Sequence, residues 1–568
     1  MIINYLQNQE TIKTYRLLYQ TVQVCKAHGV ENVMLCPGSR SAPLALSFMR
    51  FEGIKHYVIP DERSAAYTAL GMARQSKKPV ALVCTSGTAA LNFAPAVAEA
   101  FFSEIPLIVF TADRPEEWIG QADNQAIYQE HIYGKNVKAE YCFPTDLQYP
   151  DSEWYAIRIA NEALNIAMQH PRGPVHINVP LREPLYLENE PDFSGVVAKI
   201  IKFEQGDKSI PNSIFESLAQ YKKVLVVAGT HRPNEKLKQA LSDACKDKHI
   251  VFIPDITSNL IHTPGSISFG ELAIDAISKD TTENFVPELV ISFGGPIVSK
   301  TLKNFLKHKN IKAHWHLNGH PASADTFQRL TNILDVNAPT FFKTLAGENA
   351  LSFDKAYFDA WATLDIKASQ SAKSAIESLK FSEIRAAYEI INSLPANTVL
   401  HLGNSLPVRY ASVFPFINPN IEVHSNRGTS GIDGTVSAAA GQSMVDDRNH
   451  ILMVGDLGFI YDSNGLWNNY LGDNFKIIVL NNHGGGIFKT LPGARSQKEL
   501  EEYFVVKQPL RFEYLALQHN CEYIFCKDLE GLKPALGQLL ATKGKPAILE
   551  LEFNQLLSIE DVKKKLGQ

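Results

Sequence analysis

Two short apolar runs constrain this chain more than any other feature. His450-Ile-Leu-Met-Val454 ends in Gly455-Asp456, and Lys476-Ile-Ile-Val-Leu480 ends in Asn481-Asn482. Each run is brief, rich in branched side chains and bounded by Gly or Asn, the pattern of a strand buried on both faces of a parallel sheet. The stretch between them is long enough for a crossover helix. Asp456 and Asn482 then emerge at the carboxyl ends of strands in one sheet, the edge where open α/β sheets bind ligands. A carboxylate, an amide oxygen and nearby backbone carbonyls form an all-oxygen set suited to Mg2+ holding a diphosphate. The same residues serve equally well as caps of two strand-end turns, and both readings stand at this level.

The same alternation runs through the whole chain. Asn32–Leu35, His56–Ile59, Pro79–Val83 and Pro106–Phe110 each read as a strand that leads into polar turn chemistry, with helices over Ala65–Arg74 and Ala89–Phe102. Four such strands predict a doubly wound α/β unit with its polar loops on one sheet edge. A polar stretch at 187–212 reads as a linker. A second unit has strands at Val224–Ala228, Ile250–Pro254, Leu289–Phe293 and Ala313–Leu317. Residues 345–380 read as a helical linker. A third unit opens at Val399–Leu402 and closes at Ala547–Glu552. The expected domains are 1–190, 205–345 and 375–568, and the similar layout of the first and third is compatible with duplication of one sheet architecture.

Composition narrows the functional class. At 568 residues the chain suits three or four domains of ~150 residues each. With 45% hydrophobic and 20% charged residues it can bury large cores. A net charge of −5 offers no surface for a polyanion, so nucleic acid is not an expected partner. No apolar run reaches the ~18 residues of a membrane-spanning helix, and the N-terminus lacks a signal-peptide pattern. Seven cysteines without a CxxC pair read as reduced thiols in a cytoplasmic protein.

Several residues could carry chemistry. Glu62, just beyond a strand, is either a helix N-terminal acid favoured by the macrodipole or a carboxyl group aimed at a ligand. Thr85-Ser86-Gly87-Thr88 opens a helix and could bind an anion through backbone N–H groups, or could be an ordinary cap. Arg40, Arg114, Arg409 and Arg427 all fall in strand-end loops. Arginine recognises carboxylates bidentately, so four in equivalent loops point to substrates with several carboxylates. His401, His424 and His483 also lie near strand ends, but without zinc-ligand company they read as polar filler.

Asp456 followed by Asn482 resembles the diphosphate–Mg2+ signature of thiamine-diphosphate enzymes, usually GDG followed by NN, although Leu457 stands in place of the second Gly. The blocks CPGSRSAPL (36–44), DER (61–63), TSGTA (85–89), TADRP (111–115), ADNQAI (122–127), GNSLPVR (403–409), SNRGTSGIDG (425–434), GDL (455–457) and NNHGGGIF (481–488) resemble, in order, those of the SEPHCHC synthases of menaquinone biosynthesis. The resemblance implies three α/β domains of the pyruvate oxidase/decarboxylase-like type: pyrimidine-binding, central and diphosphate/Mg-binding. It implies decarboxylation of 2-oxoglutarate and addition of the succinyl carbanion to isochorismate. It further implies thiamine diphosphate with Mg2+ or Mn2+, and a homodimer or tetramer whose sites lie between subunits.

The residue roles follow from the same resemblance. Glu62 would pair with the aminopyrimidine nitrogen, and Gln125 would orient or relay a proton during addition. Thr85, Ser86, Gly87, Ser405, Ile432, Ile487 and Phe488 would contact the cofactor, with Ile432 wedging it into its bent shape. Asp456, Asn482 and the Gly484 carbonyl would hold the metal. Arg409, Arg427 and Ser405 would hold the succinyl-side carboxylate. Ser39, Arg40, Arg114, Asn124, Gln125 and Lys300 would face isochorismate. Some family members carry Arg where this chain has Thr301. A different thiamine-diphosphate carboligase, or an inactive binding protein on this fold, are the competing readings. The SNRGTSGIDG block with the Arg set opposes the first. Intact Glu62, Asp456 and Asn482 oppose the second.

Overall fold

Three parallel sheets organise the computed structural model, which describes residues 2–187, 192–204, 210–348, 350–554 and 557–566. The first contains β1 (Asn32–Leu35), β2 (Lys55–Val58), β3 (Val80–Cys84), β4 (Leu107–Asp113), β5 (Glu140–Cys142) and β6 (Val175–Pro180), in the order β2-β1-β3-β4-β6-β5. The second contains β7 (Val224–Ala228), β8 (Val251–Pro254), β9 (Leu289–Phe293), β10 (Ala313–Leu317) and β11 (Leu330–Leu334), ordered β11-β10-β9-β7-β8. The third contains β12 (Val399–Leu402), β13 (Glu422–His424), β14 (His450–Gly455), β15 (Phe475–Asn481), β16 (Glu522–Cys526) and β17 (Ala547–Glu552), ordered β13-β12-β14-β15-β17-β16. The first and third sheets thus share one strand order, the duplicated layout suspected from sequence. Strands β3 and β15 are buried along their whole length, which is why β3 is continuously apolar and β15 is apolar apart from Lys476 and Asn481.

Sequence patterning located most strands to within one or two residues but overlooked several. The first sheet has six strands, not four. In β6 the apolar alternation is broken by His176 and Asn178, which are buried because Thr111 Oγ1 bonds them at 2.7 and 2.8 Å. β5 and β13 have only three residues each, too few for a periodic signal. The helix expected over Ala89–Phe102 divides into Thr88–Asn92 and Ala94–Phe102. No full crossover helix joins β14 to β15; a six-residue helix, Asp456–Tyr461, and one 3-10 turn, Ser463–Leu466, make the connection. The polar linker expected at 187–212 falls partly outside the described residues, at 188–191 and 205–209. The helical linker is the helix Lys355–Glu377: Tyr357 and Trp361 join the second core, while Ala372 and Ile376 join the third.

Topologically equivalent helices bind the first unit to the third. Glu62–Ser76 follows β2, and Thr435–Ser443 follows β13. They cross with backbones almost in contact. A Cβ on Gly71 would stand 2.0 Å from Ala438 O, and one on Gly441 would stand 2.0 Å from Thr68 O. The reciprocal Thr68/Gly71 and Ala438/Gly441 spacing makes this crossing locally two-fold. Glu99, fully buried, adds a polar tie. Its carboxylate accepts from Gly428 N at 2.9 Å and from Thr429 N and Oγ1 at 2.6 and 2.8 Å, with Arg74 Nη2 3.7 Å away. Among the described residues no helix is long and apolar enough to cross a membrane.

Candidate active site

Neighbouring strands β14 and β15 pair Val454 with Val479 and Gly455 with Leu480, so Asp456 and Asn482 leave the same sheet edge side by side. Asp456 opens its short helix and is 3% exposed. Its Oδ1 accepts from Leu457 N at 2.8 Å and its Oδ2 from Gly484 N at 2.7 Å. Burial pushes this carboxyl up to about 6, and the two N–H donors oppose the rise. Asn482 donates Nδ2 to Glu383 Oε1 at 2.5 Å, while no hydrogen bond among the described residues engages its Oδ1. The Gly484 carbonyl accepts from Gly486 N at 2.9 Å, which leaves one lone pair.

Asp456 Oδ, Asn482 Oδ1 and Gly484 O are therefore an oxygen donor set with unused acceptor capacity, and they fit a hard divalent cation. No cluster of three His, Cys, Asp or Glu side chains able to hold a metal exists among the described residues, so a cation here would rely on amide and carbonyl oxygens beside the one carboxylate.

The neighbouring loops carry the apolar and cationic groups. A Cβ on Gly458 would touch Ile432 Cβ at 3.8 Å, which places Ile432 beside the Asp456 helix. Ile487 packs on the edge of the third core, and the Phe488 ring lies 5.5 Å from that of Phe504. Ser405 holds a left-handed φ of 76°, and its carbonyl accepts from Arg409 Nη1. Asn404, 6% exposed, braces this edge: Nδ2 donates to Asn426 O and Gly431 O, and Oδ1 accepts from Arg427 Nη1 at 2.7 Å. Arg427 Nε is buried without a partner. Desolvation lowers the pKa of both Arg409 and Arg427, and the proximity of Arg427 lowers Arg409 further. Lys303 is lowered by burial and then by Arg427. Lys300, one turn earlier at the start of the helix Lys300–His308, is exposed, so the helix directs Lys303 rather than Lys300 toward this cationic pair.

On the first sheet, Glu62 begins its helix after the Asp61 N-cap, and no hydrogen bond among the described residues engages its carboxylate. Burial raises the thiols of Cys36 and Cys84, at the ends of β1 and β3, and the Glu62 charge adds to both. Glu62 thus stands over the carboxyl edge of this sheet. Thr85 Oγ1 and Ser86 Oγ are buried without partners, as hydroxyls awaiting a ligand would be. Gly87 (φ +87°) approaches Gln125 closely, with a Cβ 3.1 Å from Gln125 O, and its N–H donates to buried Gln129 at 2.8 Å. Gln125 is itself left-handed, at φ 53°, and exposed. Arg114 pairs with Asp123 at 2.5 Å and donates to Asn124 O. Ser39 Oγ lies 3.2 Å from Tyr186 Oη. Arg40 is buried and tied to Leu181 O and Glu183 Oε1, both at 2.9 Å, with its Nε left unpartnered.

Within one chain, Asp61 and Arg63 reach the third unit through Asn464 Nδ2 at 2.6 Å and Tyr461 O at 2.8 Å. No hydrogen bond among the described residues joins Glu62 to Asp456 or Asn482. The histidines pack as filler on the third sheet: His401 Nε2 meets His450 Nδ1 at 2.9 Å, and His424 pairs with Glu422 at 2.8 Å. Sequence reading passed over Glu383, Asn404, Gln129 and Lys303. Asn404 lies inside the GNSLPVR block and was within reach of motif reasoning. Glu383 looks like any helix N-terminal acid.

Three family models match the chain in order. They are the thiamine pyrophosphate enzyme N-terminal TPP-binding domain over residues 17–133, the thiamine pyrophosphate middle domain over 205–402 and the C-terminal TPP-binding domain over 406–551. With three parallel sheets and an oxygen donor set at β14 and β15, the fold and site define a thiamine-pyrophosphate enzyme. A protein of Cytophaga hutchinsonii named 2-succinyl-5-enolpyruvyl-6-hydroxy-3-cyclohexene-1-carboxylate synthase is 39% identical over 96% of this chain and 98% of its own length. Proteins of the same name from Flavobacterium johnsoniae and Porphyromonas gingivalis are each 38% identical, covering 94% and 92% of this chain and 95% and 92% of their own lengths. The chain belongs to the 2-succinyl-5-enolpyruvyl-6-hydroxy-3-cyclohexene-1-carboxylate (SEPHCHC) synthase family.

Proposed function

We propose that this enzyme, in menaquinone biosynthesis, decarboxylates 2-oxoglutarate and joins the succinyl unit to isochorismate, releasing CO2, with thiamine diphosphate and Mg2+ bound. The observation that carries the proposal is one sheet edge: at the ends of neighbouring β13, β12, β14 and β15 stand Arg427, Arg409, Asp456 and Asn482, whose amide oxygen no hydrogen bond among the described residues engages. That edge offers a cation site and a dianion site together. When bound, the cofactor supplies the electron sink that loss of CO2 from a 2-oxo acid requires.

The chain's own residues would do the rest. Asp456, Asn482 and Gly484 would hold the cation. Glu62, whose carboxylate no hydrogen bond among the described residues engages, would share a proton with the aminopyrimidine nitrogen, which an amide could not do. Ile432, Ile487 and Phe488 would give the reacting centre apolar walls that favour loss of charge. Thr85 and Ser86 hydroxyls and the Gly87 backbone would meet the cofactor from the first unit. Arg409 and Arg427, with Ser405, would clamp the succinyl carboxylate through charge-assisted bonds. Ser39, Arg40, Arg114, Asn124, Gln125 and Lys300 would face isochorismate, Gln125 steering a proton during addition.

Glu62 and Asp456 would meet across subunits, so a homodimer is the smallest active form and a tetramer the next. Exposed Leu91, Trp118, Tyr128 and Trp467 on the first and third units offer apolar surface for such an interface. The assay combines enzyme, thiamine diphosphate, Mg2+, 2-oxoglutarate and isochorismate, and reads the cyclohexene product by mass spectrometry together with CO2. Turnover of pyruvate alone, with no product from isochorismate, would replace this reading with that of a different carboligase.

A further inference from the structure

Glu383 begins the helix Glu383–Ser393 and lies 99 residues before Asn482 in sequence. Its side chain is 1% exposed, and both carboxylate oxygens are engaged. Tyr410 Oη donates to Oε2 at 2.6 Å, and Asn482 Nδ2 donates to Oε1 at 2.5 Å. A carboxylate only accepts, whereas a primary amide has one donating and one accepting end. Binding the NH2 of Asn482 to Glu383 therefore turns its carbonyl oxygen the other way, where no hydrogen bond among the described residues engages it. Gly486 closes the NH2 side further, since a Cβ there would stand 2.7 Å from Asn482 Nδ2. Without this lock the amide could rotate, and its NH2 group would repel a cation that its oxygen binds.

We propose that Glu383 is a positioning residue that fixes which end of the Asn482 amide faces the divalent cation. The inference rests on the reading of Asp456 and Asn482 as the cation site. Groups that orient a metal ligand from behind commonly change metal affinity by ~10–100-fold when replaced.

The test is calorimetric titration of the purified protein with thiamine diphosphate at a series of Mg2+ concentrations. In Glu383→Gln, Tyr410 donates to the new carboxamide oxygen, so its NH2 faces Asn482 and the Asn482 amide must turn round. The expected result is a Mg2+ half-saturation ~10–100-fold higher than wild type, with the thermal midpoint of the cofactor-free protein little changed. Adding Asn482→Asp to Glu383→Gln removes the donating end altogether and is expected to restore most of the Mg2+ affinity. Tyr410→Phe leaves the Asn482 bond intact and should keep the Mg2+ requirement within about twofold. If Glu383→Gln does not fold, Glu383→Asp replaces it, retracting the acceptor by one methylene with the same direction of effect. An unchanged Mg2+ requirement in the folded variant, an equal shift in Tyr410→Phe, or no rescue by Asn482→Asp overturns the inference alone. A wild-type protein that binds thiamine diphosphate without any dependence on Mg2+ overturns the cation site and the inference with it.

Discussion

Gly71 and Gly441 let two helices from different units touch backbone to backbone, and replacing them tests whether that approach supports the site. A methyl group on either residue would sit 2.0 Å from the facing carbonyl oxygen, against an ordinary contact of 3.4–4 Å. Because the obstacle is backbone, the helices must part by roughly 1.4 Å. Overpacking of this kind costs up to ~3 kcal/mol, and the higher helix propensity of Ala returns up to ~1 kcal/mol. A net destabilisation of about 2 kcal/mol for Gly71→Ala or Gly441→Ala lowers the melting temperature of the affected unit by about 4–8 °C. One separation accommodates both methyl groups, so the double variant should cost ~1–2 kcal/mol less than the sum of the singles. The same movement stretches the 3.0 Å bond from Tyr67 Oη to Asp433, next to Ile432, so thiamine diphosphate binding should weaken in step. Scanning calorimetry at a fixed rate, with cofactor titrations on all four proteins, reads both effects. Additive singles, or an alanine at either position without loss of stability, would refute the close-approach argument.

Three other outcomes are expected. Glu62→Gln should keep cofactor affinity within a few-fold yet cut turnover by ~10²-fold or more; near-normal product formation would remove Glu62 from its role. Arg409→Ala should raise the KM for 2-oxoglutarate ~10–100-fold, the scale of one lost charge-assisted bond, and an effect confined to isochorismate would mean that the two carboxylate sites are exchanged. His450 is fully buried against His401, with Asp446 3.8 Å away, and burial holds it at about 4, below its ordinary 6.5. The unfolded chain therefore takes up the proton first. The stability contributed is fully present above pH ~6.5 and declines as pH falls toward 4, by about 3 kcal/mol in all. Thermal midpoints between pH 7.5 and 4.5 should fall less steeply in His450→Gln, and parallel slopes would contradict this account.

Strands β14 and β15 were legible because both faces of a central parallel strand are buried, so after His450 and Lys476 each becomes an unbroken apolar run that stops at Gly455 and Asn481. Asp456 and Asn482 could be named for the same reason: they are the first polar residues past those stops. β11, at the sheet edge with its middle residues exposed, has no such pattern and was invisible. The order of blocks from CPGSRSAPL to NNHGGGIF is enough to point to the family, and the relatives agree. Local sequence thus determined the central strands, the strand-end candidates and the family. Only the tertiary structure decided what two ordinary-looking helix acids do. Glu383 and Glu99 both read as helix acids, yet one is enclosed against Asn482 and the other against Gly428 and Thr429, each far away along the chain. Burial and hydrogen-bond partnership depend on which helices cross, and in this protein the Gly71–Gly441 approach sets one such crossing. No short window of sequence contains both sides of that crossing, nor both Glu383 and Asn482, so the Glu383–Asn482 bond and the bracing of the Arg427 loop are properties of the folded chain alone.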